Sequence, residues 1–231
     1  MKQYKHIFFD LDHTIWDFDK NAEETLQELY GTYKLADIGL NSCDAFIETY
    51  TRHNHSLWAQ YHLGQITKAQ LRDARFKTTF KELGLNPDLI PEDFEDAYVN
   101  LCPTKTNLFP HAHETLAYLQ GKYTLHLITN GFKDSVDLKL NGTNLLGYFD
   151  QVIVSEIVGV NNPDPAIFTY AVNAAGTVKE ESIMIGDSIE ADIRGALGFG
   201  MDAIYFNPFG LEKPDDVPVQ ISHLKELTLM L

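Results

Sequence analysis

The sequence is poor in cysteine, in positive charge and in long apolar runs. Cys43 and Cys102 are its only cysteines among 231 residues, too few for a disulfide scaffold, so we interpret both as free thiols in a reducing compartment. Lys and Arg number 18 against 33 Asp and Glu, a net charge of −15, which argues against binding to nucleic acids or anionic lipid surfaces. No apolar run approaches the ~18 residues of a membrane span, and the first residues have no signal-peptide pattern. We therefore expect a cytoplasmic protein with no nucleic-acid or membrane partner.

The sequence does contain short, continuous apolar runs, each of which ends in polar residues. The runs are Ile7–Phe9, Leu125–Ile128, Val152–Val154, Ile183–Ile185 and Ala203–Phe206. Such runs are typical of strands that are buried on both faces of a parallel sheet. Helical spacing of apolar residues is found between them, at His113–Leu119, Pro165–Ala175 and Ile189–Leu197. This alternation predicts an α/β fold with a doubly wound parallel sheet, in which ligands bind at the carboxyl ends of the strands.

The segment 17–106 differs, because it contains no convincing strand. Its amphipathic helical patterns are Glu23–Tyr30, Asp44–Tyr61, Lys68–Leu83 and Glu92–Leu101. We predict an inserted helical cap domain at 17–106, between two parts of an α/β core domain at 1–16 and 107–231. The two connections are expected near Asp17–Lys20 and Pro103–Pro110.

Two aspartates follow the first predicted strand. In a tight loop, Asp10 and Asp12 can both face one ligand, because they are alternate residues. One carboxylate can attack phosphorus while it contacts Mg²⁺, and the other can protonate the leaving oxygen and then activate water. The alternative is that both merely end a strand and cap a helix.

Two further polar groups follow later strands. Thr129, Asn130 and Gly131 can hold phosphate oxygens through a hydroxyl and backbone N–H groups, or they can form an ordinary turn. Asp187 and Asp192 offer the hard carboxylate oxygens that suit Mg²⁺, or Asp187 can cap a helix. All three groups fall at the carboxyl edge of one predicted sheet, and this coincidence favours a common site.

The ordered set of Asp-x-Asp-x-Thr, Thr-Asn-Gly after a strand, and Gly-Asp-x-x-x-x-Asp resembles the haloacid dehalogenase (HAD) superfamily over the whole chain. Further stretches look like its pyrimidine 5′-nucleotidase branch, namely Ile7–Trp16, Leu57–Thr67, Arg72–Phe76, Ile128–Phe132 and Ser155–Val160. The resemblance implies a Rossmann-like core with an inserted cap, and a Mg²⁺-dependent phosphatase that forms an aspartyl-phosphate. A nucleoside 5′-monophosphate is the expected substrate, with phosphoglycolate or a sugar phosphate as alternatives. The expected partner is a small phosphorylated metabolite, and the chain is expected to be a monomer or a homodimer.

The resemblance also implies a role for each motif residue. Asp10 corresponds to the nucleophile, and Asp12 to the general acid/base, whose backbone carbonyl also contacts the metal. Thr129 corresponds to the phosphate-binding hydroxyl. Asp187 corresponds to a direct metal ligand, and Asp192 to a further or alternative ligand that orients the site.

One position departs from the family pattern. Asn162 stands where the family has a lysine that bridges nucleophile and phosphate. Removal of one preorganised electrostatic contact typically costs ~10²–10³ in rate. Three hypotheses follow: another amine such as Lys133 or Lys139 reaches the site, the enzyme is slow, or the protein mainly binds a phosphometabolite without turnover.

Four residues of the predicted cap are candidate substrate contacts. Trp58 and Tyr61 can stack on a base, and Arg72 and Arg75 can contact the substrate. Aromatic residues at helical spacing are also common in cores, and exposed arginines are commonly just solvated, so both interpretations stay open here. Two other activities of the fold fit less well: a dehalogenase needs no metal and no second aspartate, and a sugar-phosphate mutase would need the lysine.

Overall fold

The computed structural model describes residues 4–231. The chain divides into two compact units. One is an α/β unit, formed by the described residues up to Phe18 together with Thr106–Leu231, and the other is a helical unit, Asp19–Lys105. These bounds differ from the predicted cap, 17–106, by two residues at its start and by one at its end.

A six-stranded sheet lies at the centre of the α/β unit. Its strands are β1 (His6–Phe9), β2 (Thr124–Thr129), β3 (Phe149–Val154), β4 (Ser182–Gly186), β5 (Asp202–Phe206) and β6 (Gln220–Ile221). Their order is β3-β2-β1-β4-β5-β6, and all neighbours are parallel. The fold class is confirmed, and each of the five predicted runs lies in a strand. The sixth strand was not predicted, because two residues carry no periodicity.

The register of the sheet explains where polar residues gather. Phe9, the last residue of β1, lies opposite Leu127 of β2 and Ile185 of β4. The loops that follow these three strands therefore start at the same edge. The strands are buried on both faces, with Phe8 and Met184 at 0% exposure, which is why their sequences read as continuous apolar runs.

The helical unit contains four helices that correspond to the predicted ones. They are α1 (Phe18–Thr32), α2 (Cys43–His62), α3 (Lys68–Glu82) and α4 (Phe94–Leu101). No strand occurs in Asp19–Lys105, all of which the structure describes. The first boundary between the units, Phe18/Asp19, falls within the connection expected near Asp17–Lys20, and α1 already begins at Phe18. The helix α3 begins where a capping box allows it, with Thr67 Oγ1 accepting from Gln70 N at 3.2 Å and Gln70 Oε1 accepting from Thr67 N at 2.8 Å.

Aromatic side chains fill the core of the helical unit. Phe46, Tyr50, Phe76 and Phe94 are at most 3% exposed, and the Phe76 and Phe94 ring centroids lie 4.8 Å apart in an edge-to-face contact. Such pairs contribute more than their buried area alone. The unit thus has a hydrophobic core of its own.

The helices of the α/β unit flank the sheet. They are α5 (Ala112–Gln120), α6 (Lys133–Gly142), α7 (Ser155–Val158), α8 (Pro165–Ala174), a π-helix (Ile189–Arg194), α9 (Gly195–Phe199) and α10 (Leu227–Met230). The helical pattern predicted at Ile189–Leu197 is observed as the π-helix followed by α9: Ile193 N donates to Ser188 O at 3.2 Å, an i→i−5 bond that widens the turn. Among residues 4–231, no helix has the length and apolar character that a membrane crossing requires.

Candidate active site

The loop after β1 is a compact turn. Asp10 N donates to Ile185 O at 2.9 Å, which extends the pairing with β4 by one residue. Leu11 O then accepts from the backbone N–H groups of Ile15 and Trp16, at 2.9 and 2.8 Å. His13 lies between the two aspartates and Thr14 with a positive φ of 64°. These constraints hold Asp10 and Asp12 beside the ends of the central strands.

Thr14 joins the first motif to the third. Its Oγ1 lies 3.2 Å from Asp10 Oδ2 and 3.3 Å from Asp187 Oδ1, and the residue is 0% exposed. Thr14 thus lies between the two carboxyl groups, and its single hydroxyl proton can be donated to either of them, one at a time. The sequence shows this threonine as part of the motif, but its bridging role was not predicted.

Three carboxyl groups converge at this edge of the sheet. Oxygens of Asp10, Asp187 and Asp192 all lie within 4.8 Å of one another. Burial, followed by the charges of neighbouring aspartates, raises the pKa of Asp10 and of Asp187 well above the ordinary value, and burial raises the pKa of Asp192 to about 7. The cluster therefore favours a bound cation over bare carboxylates. An all-oxygen donor set matches Mg²⁺, so these residues fit that ion.

Asp192 is held from three sides. Its Oδ2 accepts from Ser188 N at 3.0 Å, and its Oδ1 accepts from Asn162 Nδ2 at 2.8 Å. Its side chain also lies directly against Gly186, where an added Cβ would be 2.2 Å from Asp192 Oδ2. The π-helix and the glycine at the end of β4 together make room for this buried carboxylate.

Asn162 connects the second motif to this carboxylate. Its backbone N donates to Asn130 Oδ1 and its backbone O accepts from Asn130 Nδ2, both at 2.9 Å. Asn162 is 2% exposed, and its side chain carries no positive charge. The side chain of Asn130 is occupied by this clamp, so a phosphate contact by Asn130 would have to come from its backbone.

The second-motif loop lies beside Asp12. Gly131 N donates to Thr129 Oγ1 at 3.0 Å. A Cβ added to Gly131 would lie 3.2 Å from Thr129 Oγ1 and 3.5 Å from Asp12 Oδ2. Thr129, Gly131 and the Asp12 carboxylate thus form one cluster, as a site that binds phosphate next to its acid/base requires.

Of the two lysines considered from the sequence, one contacts this cluster. Lys139, on α6, places Nζ 2.6 Å from Asp12 Oδ1 and 2.9 Å from Oδ2, and is 3% exposed. Its ammonium also lies 4.2 Å from the centroid of the Trp16 ring. Lys133 is instead paired with Asp137 on the surface of the same helix.

The four candidate contacts in the helical unit are placed as follows. On α2, the Trp58 and Tyr61 rings pack edge to face with centroids 5.4 Å apart. On α3, Arg72 and Arg75 are both bound to Glu95, with Nε–Oε distances of 2.9 and 2.8 Å. Arg75 is 3% exposed, a geometry that gives no support to a substrate contact. The roles of the other three stay predictions.

Comparison with known proteins agrees with the motifs. A model of the haloacid dehalogenase-like hydrolases matches residues 4–200. The chain is 32% identical to the pyrimidine 5′-nucleotidase YjjG of Escherichia coli (strain K12) over 97% of this chain and 96% of that one. It is 34% identical to the pyrimidine 5′-nucleotidase PynA of Streptococcus pneumoniae, over 90% and 86%. The structure of the HAD-hydrolase YfnB of Bacillus subtilis bound to magnesium has a TM-score of 0.86 at 28% identity, over 99% of both chains. The resemblance predicted from the motifs is confirmed, and the chain belongs to the haloacid dehalogenase-like hydrolases.

Proposed function

We propose that this protein is a Mg²⁺-dependent phosphatase that hydrolyses small phosphate monoesters through an aspartyl-phosphate, with pyrimidine nucleoside 5′-monophosphates as its substrates. The observation that carries this proposal is the convergence of Asp10, Asp187 and Asp192 within 4.8 Å, with Asp12 beside the loop of Thr129 and Gly131. This arrangement provides a nucleophile, an acid/base and a cation site at one edge of the sheet.

The metal site would be formed by carboxylate oxygens of Asp10 and Asp187, with the backbone carbonyl of Asp12 as a further ligand. Asp192 is either a further ligand or the residue that orients them, since Asn162 and Ser188 fix its position. When bound, Mg²⁺ offsets the negative charge of the phosphate and of the carboxylates around it.

The phosphate would be held beside Asp10 by the Thr129 hydroxyl and by backbone N–H groups of the loop Thr129–Gly131. The absence of a side chain at Gly131 is required here, because a Cβ would lie 3.0 Å from Val136 Cγ2 and would fill space next to the Asp12 carboxylate. Positioning of phosphate and nucleophile in line is, together with electrostatic stabilisation, the main contribution that a protein makes to phosphoryl transfer.

The reaction then has two steps. In the first, an Asp10 carboxylate oxygen forms a bond to phosphorus as the ester bond breaks, and Asp12 gives a proton to the departing alcohol. In the second, Asp12 takes a proton from water, whose oxygen attacks phosphorus and releases Asp10 and inorganic phosphate. Thr14 contacts Asp10 and Asp187 and so keeps nucleophile and predicted metal ligand in fixed relation.

The choice of substrate rests on two supports. The relatives YjjG and PynA are both pyrimidine 5′-nucleotidases. On α2, Trp58 and Tyr61 offer aromatic surfaces of the kind that stack on bases. Phosphoglycolate or a sugar phosphate is the alternative, and it would make no use of these rings. The free thiols of Cys43 and Cys102 suit the cytoplasmic location that forms part of the proposal.

The test is phosphate release from a panel of esters, measured with Mg²⁺ and with EDTA. The panel contains dUMP, dTMP, UMP, phosphoglycolate and sugar phosphates. We expect release that requires Mg²⁺ and is fastest with the pyrimidine nucleotides, and we expect none from Asp10→Asn. Retention of activity by Asp10→Asn would disprove the covalent mechanism. Saturable binding of the esters without release would instead support a phosphometabolite-binding protein.

A further inference from the structure

The acidic groups of the site are not balanced by the lysine that the family pattern would provide. Asp10, Asp187 and Asp192 lie within 4.8 Å of one another, and Asp12 lies next to the loop expected to hold a phosphate dianion. The family's lysine position is occupied by Asn162, whose amide is bound to Asp192 at 2.8 Å. Mg²⁺ alone would have to balance this charge, unless another cation contributes.

Lys139, on α6, provides such a cation. Its ammonium contacts both Asp12 oxygens, at 2.6 and 2.9 Å, and lies over the Trp16 ring at 4.2 Å and the Phe18 ring at 5.5 Å. The two hydrogen bonds and the two rings fix the ammonium, and the pairing in turn fixes the orientation of the Asp12 carboxylate.

We propose that Lys139 is a positioning residue of the active site: it orients Asp12 and supplies from α6 the positive charge that the family's lysine would supply from position 162. This inference rests on the proposed phosphatase function. It assigns separate tasks to two positions, with Asn162 aligning Asp192 and Lys139 providing the charge.

A purely structural role explains the burial of Lys139 less well than a role in orienting Asp12. Lysine is almost never fully buried unless it is paired, and a buried ion pair is often no more stabilising than apolar residues of the same volume. Apolar residues at both position 139 and position 12 would therefore serve the packing of α6 equally well. What only a cation provides at this position is its contact with Asp12.

The experiment compares Lys139→Met, Lys139→Arg, Asn162→Lys and the double variant Lys139→Met/Asn162→Lys with the wild type. Lys133→Met is the matched control, because Lys133 lies on the same helix but pairs with Asp137 at the surface. Three quantities are measured on each full-length protein: kcat and KM for the preferred ester, the affinity for orthovanadate in the presence of Mg²⁺, and the midpoint of urea unfolding.

We expect Lys139→Met to lower kcat by ~10²–10³, the usual effect of one lost electrostatic contact, with a KM within about threefold of the wild type. Orthovanadate affinity should fall at least tenfold. The urea midpoint should fall as well, because Asp12 loses its buried partner, so recovery of activity in the double variant is the readout that separates the two effects. Lys139→Arg should keep at least a tenth of the activity, and the double variant should regain at least tenfold over Lys139→Met. Lys133→Met should match the wild type in all three measurements.

Two results would overturn the inference. One is a Lys139→Met protein whose activity and orthovanadate affinity match the wild type. The other is a loss of activity that follows the urea midpoint and is not restored by Asn162→Lys. If the wild type releases no phosphate, the proposed function fails separately, and the orthovanadate measurement decides the role of Lys139. Orthovanadate that binds no variant, or binds all of them equally, counts against it.

Discussion

Replacement of Gly186 by alanine tests how tightly Asp192 is held. Gly186 is the last residue of β4, and a Cβ there would lie 2.2 Å from Asp192 Oδ2, 2.4 Å from Cγ and 2.5 Å from Cβ. Each separation is about 1 Å short of ordinary contact, so the Asp192 side chain or the strand must move. The overlap involves three atoms of a side chain that is 2% exposed, and rotation of its end alone cannot relieve it.

The magnitude follows from what Asp192 loses when it moves. Its carboxylate accepts two hydrogen bonds, from Ser188 N and from Asn162 Nδ2, and a bond to a charged group contributes ~1.5–3 kcal/mol. Overpacking of a core adds ~1–3 kcal/mol, and the lower entropy of the unfolded alanine chain returns ~0.4–1 kcal/mol. We expect the free energy of unfolding to fall by at least about 3 kcal/mol, the lower end of the sum of these contributions, and Mg²⁺ affinity to fall at least tenfold.

Urea unfolding in excess Mg²⁺ and isothermal titration with Mg²⁺ measure the two effects. Gly198→Ala is the matched control, because Gly198 lies in α9 with no atom within 4 Å of an added Cβ. That variant should be unchanged or more stable by ~0.5–1 kcal/mol. A Gly186→Ala protein within 1 kcal/mol of the wild type, with unchanged Mg²⁺ affinity, would refute the view that Asp192 is rigidly placed.

Further predictions address other parts of the molecule. Thr14→Val should lower kcat/KM about tenfold or more, because a buried hydrogen bond is lost. Thr14→Ser keeps the hydroxyl, so its kcat/KM should stay near that of the wild type. Steady-state kinetics of the two variants tests this prediction. Arg75→Met should cost about 3–5 kcal/mol in urea unfolding because it breaks a buried ion pair, whereas Arg52→Met at the surface should leave the stability nearly unchanged. Equal losses of stability in the two variants would contradict the view that the Arg75–Glu95 pair supports the fold. Burial, and then the neighbouring His6, lowers the pKa of His126 from 6.5 to about 4, so between these values the unfolded chain binds more protons and stability falls as pH falls. Acidification from about pH 7 to 5 should cost about 2 kcal/mol through this group, and urea unfolding of His126→Leu should show a correspondingly weaker pH dependence.

The sequence predicts the strands of this protein better than its connections. Buried parallel strands have continuous apolar runs, and the five runs all lie in strands of the observed sheet. The strand β6 has two residues and so no pattern of its own. The sequence predicts a helix at Ile189–Leu197 but not its type, because apolar residues such as Ile189 and Ile193 fit an α-helix or a π-helix, and the difference lies in backbone bonds to Ser188.

The motifs place Asp10, Thr129 and Asp187 at one edge of the sheet, but they do not show which side chains contact each other. The helix α6 was not predicted. A contact between Lys139 and Asp12, which are 127 positions apart, was therefore only one of three hypotheses about the departure at Asn162. The hydrogen bonds between Asn130 and Asn162 are equally hard to predict, because they join two loops that only the folded sheet brings together. Pairwise distances of this kind are set by packing, and no local pattern encodes them.

The position of β1 between β2 and β4 has a consequence for synthesis of the chain. The ribosome makes β1 before the other five strands of the sheet, but β1 obtains its second neighbour only when Ser182–Gly186 has been made. Until then one side of β1 is an open edge with unpaired backbone groups, a template for association with other chains. The same interval separates Asp10 from Asp187 and Asp192, so a nascent or truncated chain carries the proposed nucleophile without the rest of the proposed cation site. Phosphatase chemistry would therefore switch on only when the sheet closes around its first strand, and stalled chains would be prone to aggregate and inert.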